Sequence, residues 1–304
     1  MKVLFLGTPD FALPSLRAIA STRHEIVGVV TQPDKEGNRR VMTPPPVKVE
    51  AEKLGLKVYQ FASLRKEGAA LVRALAPDVM VTVAFGQIIS QEILDIPPFG
   101  TLNVHGSLLP KYRGSSPIQS CLLNGDEVTG VTIMRTVLKV DAGDILLKKE
   151  IRIEESDSAG TLFDKIAEIG ASAIVEALDL VESGKAVYIP QDETQATFCK
   201  MISKADAKIE KTESVKNALL KIRAYDPWPV AHVFVEGERV KIFSAAIAEK
   251  NGQTGRFYAV DGYPALNLSD GALKLLELQR EGKKRMSGKD FLIGRADLLD
   301  KEIE

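Results

Sequence analysis

KVLFLGTPDFALPSLRAIASTRHEIVGVV, residues 2–30, sets the fold of the first half of the chain. The apolar run Val3-Leu4-Phe5-Leu6 stops at Gly7-Thr8-Pro9-Asp10, residues 11–20 place apolar side chains at helical spacing, and residues 26–30 return to a β-branched run. Strands that are apolar on both faces suit a buried parallel sheet. The alternation continues outward, with strands expected at 79–83 and 102–104 and helices at 47–54, 68–75 and 118–123. Strand, helix, strand repeated this way predicts a doubly wound α/β domain. The first strand-to-helix turn is not a GxGxxG, so a dinucleotide fingerprint is absent.

Farther along, residues 162–181 carry a helical period that ends at Ser183-Gly184. Residues 187–194 have no helical period and are expected to be linker. A helix near 213–223 precedes DPWP (226–229), and short strands are expected at 231–235, 240–245, 266–268 and 273–278, with a turn at 236–238. Short strands this closely spaced predict a small barrel or sandwich. The division is therefore a first domain over 1–188, a linker over 189–204 and a second domain over 205–304. With 304 residues, and roughly 150 per domain, two domains also fit the length.

Hydrophobic residues make up 45% and charged residues 27%, which excludes collagen-like, disordered and low-complexity chains. Forty basic against 41 acidic residues leave a net charge of −1, so any RNA contact must rest on local patches. Arg280, Lys283, Lys284 and Arg285 form one such cluster, whose alternative reading is a solvated hairpin tip. Cys121 and Cys199 lie far apart without metal-ligand spacing, arguing against a disulfide framework or a structural zinc. The run 3–6 is too short for a signal peptide, and no stretch of about 18 apolar residues follows. The expectation is a soluble, reduced, cytoplasmic protein without membrane attachment.

Three histidines can be weighed one by one. His24 precedes a strand and is expected at the surface; His232 is expected to be structural. His105 ends an apolar strand in NVHGSLLP (103–110), and ligands of open α/β sheets bind at the carboxyl ends of strands. Asn103 and His105, two residues apart on a strand, share a face. A buried, satisfied histidine is the competing account of His105. Asp141 and Asp144 flank Gly143 in VDAGD (140–144). That segment is either a plain turn between strands or a carboxylate brought beside the imidazole, raising its pKa. An amide donor, an imidazole and a carboxylate together can stabilise an oxyanion and move protons. No GxSxG occurs and Cys121 falls on an apolar helix face, so direct transfer is favoured over a covalent enzyme intermediate.

NVHGSLLPKYRG (103–114) followed by SPIQ (116–119) resembles the active-site signature of the 10-formyltetrahydrofolate-dependent formyltransferases. GTPDFA (7–12), TQPD (31–34), PVK (46–48), GVTIM (130–134) and DAGDIL (141–146) narrow the resemblance to the methionyl-tRNA formyltransferases of that family. DPWP (226–229), GAL (271–273) and the segment 278–287 do the same in the second half. The resemblance spans nearly the whole chain, in order. It implies a Rossmann-like formyltransferase domain followed by a small OB-like β-barrel domain that helps hold tRNA. It implies a catalytic trio Asn103, His105 and Asp141, and a folate-binding segment Ser107, Leu108, Leu109 and Pro110. Phe11 and the stretch Phe85, Gly86, Gln87 and Ile88 match positions lining the methionyl and folate pockets. Arg39 and Arg40 match a basic loop tip, and Lys283, Lys284 and Arg285 a tRNA contact.

The implied reaction uses 10-formyltetrahydrofolate as formyl donor and methionyl initiator tRNA as acceptor, serves translation initiation, requires no metal and is carried out by a monomer. The loop 35–43 departs from the family by about one residue, and Val140 and Ser115 replace its usual Leu and Ala. The rival readings are a formyltransferase acting on an amino sugar nucleotide and a non-catalytic RNA-binding relative.

Overall fold

The computed structural model describes residues 1–36 and 42–304; Arg39 and Arg40 lie outside the described residues. The chain divides into two compact units. Residues 1–117, 128–152 and 163–199 form the first, and residues 118–127, 153–162 and 200–304 the second.

The first unit begins β1 (Lys2–Gly7), α1 (Leu13–Ala20), β2 (Glu25–Thr31), α2 (Pro46–Lys53), β3 (Val58–Gln60), α3 (Ala69–Leu75), β4 (Val79–Val83) and β5 (Thr101–His105); all but β3, a three-residue strand that was not expected, realise the expected alternation. After α4 (Pro117–Leu123), which from residue 118 on belongs to the second unit, two longer strands of the first unit follow, β6 (Val128–Arg135) and β7 (Ile145–Arg152), and then α5 (Ala159–Glu182), which is in the first unit from residue 163 on. The sheet runs β7-β6-β5-β4-β1-β2-β3. The five strands from β5 to β3 are parallel, while β6 and β7 join antiparallel at one edge. Val3, Leu4, Phe5 and Leu6 are fully buried, as strands covered on both faces must be. Chain reversal after β1 needs a glycine: a Cβ at Gly7 would stand 2.8 Å from the Phe5 ring and 2.9 Å from Ala12 Cβ.

Alternation along the strands divides the core. Leu4, Leu6, Val30 and Met80 face Val72 of α3 together with Leu64 and Ile93. On the opposite face α5 crosses β5 and β6 at Gly170, where a Cβ would come within 3.0 Å of Val104. The parallel register pairs Thr82 with Asn103, so the side chains of Asn103 and His105 emerge on the Leu4 face.

β7 lacks an apolar run because only one side is covered; its LLKKEIR sequence alternates in exposure and carries the charges of an edge strand. Residues 187–194, expected as linker, instead lie along the first unit. Ile189 and Ile145 exchange two backbone hydrogen bonds of 2.8 Å.

In the second unit, α6 (Val215–Ala224) is capped by Ser214, whose hydroxyl accepts from Asn217 N. Then come β8 (His232–Val235), β9 (Glu238–Ala248), β10 (Phe257–Val260), β11 (Tyr263–Asn267), β12 (Ala272–Arg280), β13 (Met286–Ser287) and α7 (Gly288–Gly294). The antiparallel order is β8-β9-β12-β11-β10, with β13 on β12. Its inner face buries Val233, Val240, Ile242, Leu266, Leu273, Leu275 and Leu278 against Val215, Ala218 and Ile222 of α6. The expected barrel is thus a curled half-barrel whose edge strands do not pair with each other. Residues 301–304 bridge that gap: Phe257 N donates to Lys301 O, Ile303 N to Gly255 O, and Glu304 N to Phe234 O. Among the described residues no helix is long and apolar enough to cross a membrane.

Candidate active site

β5 delivers two polar side chains at its carboxyl end. Asn103 Oδ1 accepts from the Thr82 hydroxyl at 2.8 Å. That contact orients the amide, and no described residue accepts from Asn103 Nδ2. His105 is buried, and its Nε2 lies 3.0 Å from the carbonyl oxygen of Tyr112. A carbonyl only accepts, so Nε2 carries a proton and Nδ1 holds the lone pair of the neutral ring.

Facing Nδ1 is Asp141 Oδ2, at 3.7 Å. The same oxygen accepts from Gly114 N at 2.8 Å, which pins the carboxylate. Asp141 has φ +47°, a left-handed conformation that Asp tolerates better than most side chains. The turn closes tightly: Arg135 N donates to Asp144 O, and a Cβ at Gly143 would fall 1.8 Å from Arg135 O. Gly143 is therefore obligatory, and the VDAGD segment is both a turn and the carrier of a carboxylate aimed at the imidazole. Asp141 does pull the His105 pKa upward as expected, but the net shift is downward. Burial lowers the pKa below the ordinary value and outweighs the opposing pull of Asp141 and the Tyr112 carbonyl. The imidazole of the free protein is held neutral beside an anion.

Ser107, Leu108, Leu109 and Pro110 run directly from β5 across the edge of this face. Leu109 is buried with Met134 and Ile145. Thr132 on β6 holds the segment twice, donating to Ser107 O at 2.7 Å and accepting from Leu109 N at 3.1 Å. At the carboxyl end of β4, Ala84 and Gly86 are left-handed, and buried Phe85 offers its carbonyl to the Thr8 hydroxyl and to Gln32 Nε2. Gln87 is a fastener: its Oε1 accepts from Leu64 N and its Nε2 donates to Phe61 O. Ile88 is exposed, and Phe11 sits edge-on to Phe163 with ring centroids 5.8 Å apart. Lys48 of the PVK motif donates to both oxygens of Asp34 in TQPD and to Gln60.

Other expectations divide. His24 is not at the surface; its side chain is fully buried, with Nε2 3.4 Å from Asp179 Oδ1, and burial lowers its pKa. His24, Asp179 and Glu182 could together reach one metal ion, but the Arg23 guanidinium already binds both carboxylates. His232 is buried and donates through Nδ1 to Val230 O, a structural role. In the basic hairpin, Arg280 pairs with Glu238, and Arg285 pairs with Glu277 while lying over the Phe243 ring. Lys283 and Lys284 are exposed and enter no ion pair among the described residues.

Sequence reasoning passed over Thr82 and Thr132, polar residues inside the apolar runs VMVTV and VTGVTIM, and that polarity within a buried strand was the available signal. It also passed over Arg113, wholly buried and bonded to Gln191 and Glu193, for which no local pattern gives a signal.

A parallel-sheet α/β unit joined to a curled antiparallel half-barrel is the architecture of the formyl transferase class, and the chain belongs to the formyl transferase family. Residues 1–178 match the formyl transferase domain of that family and residues 201–296 its C-terminal domain. Within it, the chain is 43% identical over 300 residues to the methionyl-tRNA formyltransferase of Bacillus thuringiensis (strain Al Hakam), covering 97% of this chain and 96% of that relative. Two solved structures share the fold. The N-formyltransferase from Helicobacter canadensis, in complex with folinic acid and dTDP-3-aminofucose, superposes with TM-score 0.68 at 18% identity, covering 92% of this chain and 99% of its own. HypX from Aquifex aeolicus, in complex with tetrahydrofolic acid, gives TM-score 0.65 at 19% identity over 96% of this chain; the match spans 47% of HypX, about half its length.

Proposed function

We propose that this protein transfers the formyl group of 10-formyltetrahydrofolate to the α-amino group of methionyl initiator tRNA, in the cytoplasm, for translation initiation. The observation that carries the reading is the meeting of His105 with Asp141, from a different loop, at 3.7 Å, with Asn103 two residues before His105 on the same strand face. The near full-length likeness to a methionyl-tRNA formyltransferase selects the acceptor.

The amine nitrogen attacks the formyl carbon, and the carbonyl π pair moves onto oxygen. Asn103 Nδ2, oriented by Thr82, donates to that oxyanion. His105 Nδ1, kept unprotonated by burial, takes the proton shed by the nitrogen. The imidazolium so formed gains an ion pair with Asp141, which favours the charged intermediate over the ground state. Collapse reforms the carbonyl, breaks the bond to N10 of tetrahydrofolate and returns the proton there. No step calls for a metal. The segment 107–110 and the stretch Phe85 to Ile88, which follows left-handed Ala84 and contains left-handed Gly86, are the folate-binding elements; Phe11 lines the methionyl side. In the C-terminal domain, taken as 205–304 after a boundary segment over 189–204, Lys283 and Lys284 contact tRNA phosphates; Arg39 and Arg40 serve near the acceptor end.

Incubation with 10-formyltetrahydrofolate and either charged initiator tRNA or an amino sugar nucleotide tests the reading. Formylmethionyl-tRNA alone is the expected product. Formylation of the sugar nucleotide alone overturns the acceptor, and no formylation of either overturns the reaction.

A further inference from the structure

Asp141 is placed by a strap. Residues 188–193 fasten the turn 135–145 at four successive points. Tyr188 lies under the Arg135 guanidinium, 4.0 Å from ring centroid to the cation. Ile189 pairs with Ile145 through the backbone. Gln191 Nε2 donates to Asp141 O at 2.8 Å and to Gly143 O at 2.7 Å. Glu193 accepts from Lys139 at 2.6 Å. Beneath the strap the buried Arg113 guanidinium donates twice to Gln191 Oε1 and also reaches both oxygens of Glu193.

An amide has two donor hydrogens on one end and an acceptor on the other. Arg113 can only donate, so it fixes which end of Gln191 faces the turn. Both amide hydrogens then fall on the two carbonyls that bracket Ala142, one of them the carbonyl of Asp141 itself. Asp141 sits in a left-handed conformation that its own sequence does not enforce. We propose that Gln191, oriented by Arg113, is a positioning residue of the transfer reaction: it holds the Asp141 turn so that the carboxylate faces His105 Nδ1. This rests on the reaction proposed above.

Two substitutions separate positioning from simple support. Gln191→Glu keeps an acceptor for Arg113 and a comparable shape, but replaces the donor facing the turn with an anion. Gln191→Met removes both functions. Each is expected to lower kcat at least tenfold, with KM for donor and tRNA within about threefold of the parent. The second readout needs no turnover. Asp141 is the charged side chain facing the His105 imidazole among the described residues, since the Arg113 guanidinium is engaged by Gln191 and Glu193. In Gln191→Met the imidazole of His105, followed by NMR and assigned with a His105→Gln sample, should titrate at lower pH than in the parent. An unchanged titration in Gln191→Met overturns the inference, as does parental kcat in both variants. If the parent transfers no formyl group yet the titration moves, the reaction fails and the positioning of Asp141 stands.

Discussion

Replacing Thr132 by Val deletes one hydroxyl and keeps the shape of the side chain. Among the described residues that hydroxyl is the only hydrogen-bond partner of Ser107 O and Leu109 N, both in the segment crossing the active-site face. Thr132, Ser107 and Leu109 are all fully buried, so water cannot replace it. Leaving a buried donor or acceptor unmade costs about 1–3 kcal/mol each. The added methyl recovers about 0.8 kcal/mol. The two lost bonds together cost about 2–6 kcal/mol, so the net loss is about 1–5 kcal/mol, or roughly 3–15 °C in Tm at about 3 °C per kcal/mol for a unit of about 180 residues. Thr132→Ser keeps the hydroxyl and deletes one methyl, for a loss of about 1 kcal/mol. Thermal unfolding of the three proteins should rank Thr above Ser above Val, the reverse of the Ser–Val order that hydrophobicity alone would give. KM for the formyl donor should rise in the Val variant, because the segment 107–110 loses both of its hydrogen bonds to Thr132 of β6. A Val variant as stable as the Ser variant, with parental KM, would refute the assignment of these two bonds.

Asp141→Asn keeps an acceptor for Gly114 N and removes the charge facing His105; with burial then less opposed, the His-linked acid limb of the pH–rate profile should move to lower pH while kcat falls roughly 10²-fold. Glu193, held at a pKa of about 2 by hydrogen bonds from Arg113 and Lys139, against an ordinary 4.5, contributes stability that is complete above about pH 5 and lost as pH falls toward 2. Acid unfolding of Glu193→Gln should therefore lose steepness in that window, and an identical acid limb would remove the ion pair from the account. Neutralising Lys283 and Lys284 should flatten the dependence of log K on log salt for tRNA by about 1.5, at roughly 0.7–0.9 per phosphate. Arg285→Ala should change that slope little, because its charge is already met by Glu277.

Four of the five parallel strands and the main helices between them could be worked out from residues 2–123, because a parallel sheet covered on both faces demands apolar runs and each run is bounded by Gly, Pro or Asp; the three-residue edge strand β3 has no such run. β7 escaped that reasoning: an edge strand with one covered face carries LLKKEIR, which has no such run. The shared face of Asn103 and His105 followed from the two-residue period of a strand alone. The meeting of His105 with Asp141 depends on β6 folding back antiparallel beside β5, a pairing between segments some thirty residues apart that local periodicity does not encode. The charge state of His105 likewise belongs to the fold. In sequence a nearby carboxylate argued for a raised pKa, yet the imidazole is buried, and desolvation wins over an anion at 3.7 Å. The residues that hold the site, Thr82, Thr132, Arg113 and Gln191, act through contacts spanning from about 20 to nearly 80 positions. Sequence by itself thus determined which groups could do chemistry and which strand would present them. Tertiary structure decided their protonation and aim, because both depend on burial and on long-range hydrogen bonds that exist only once the sheet has formed.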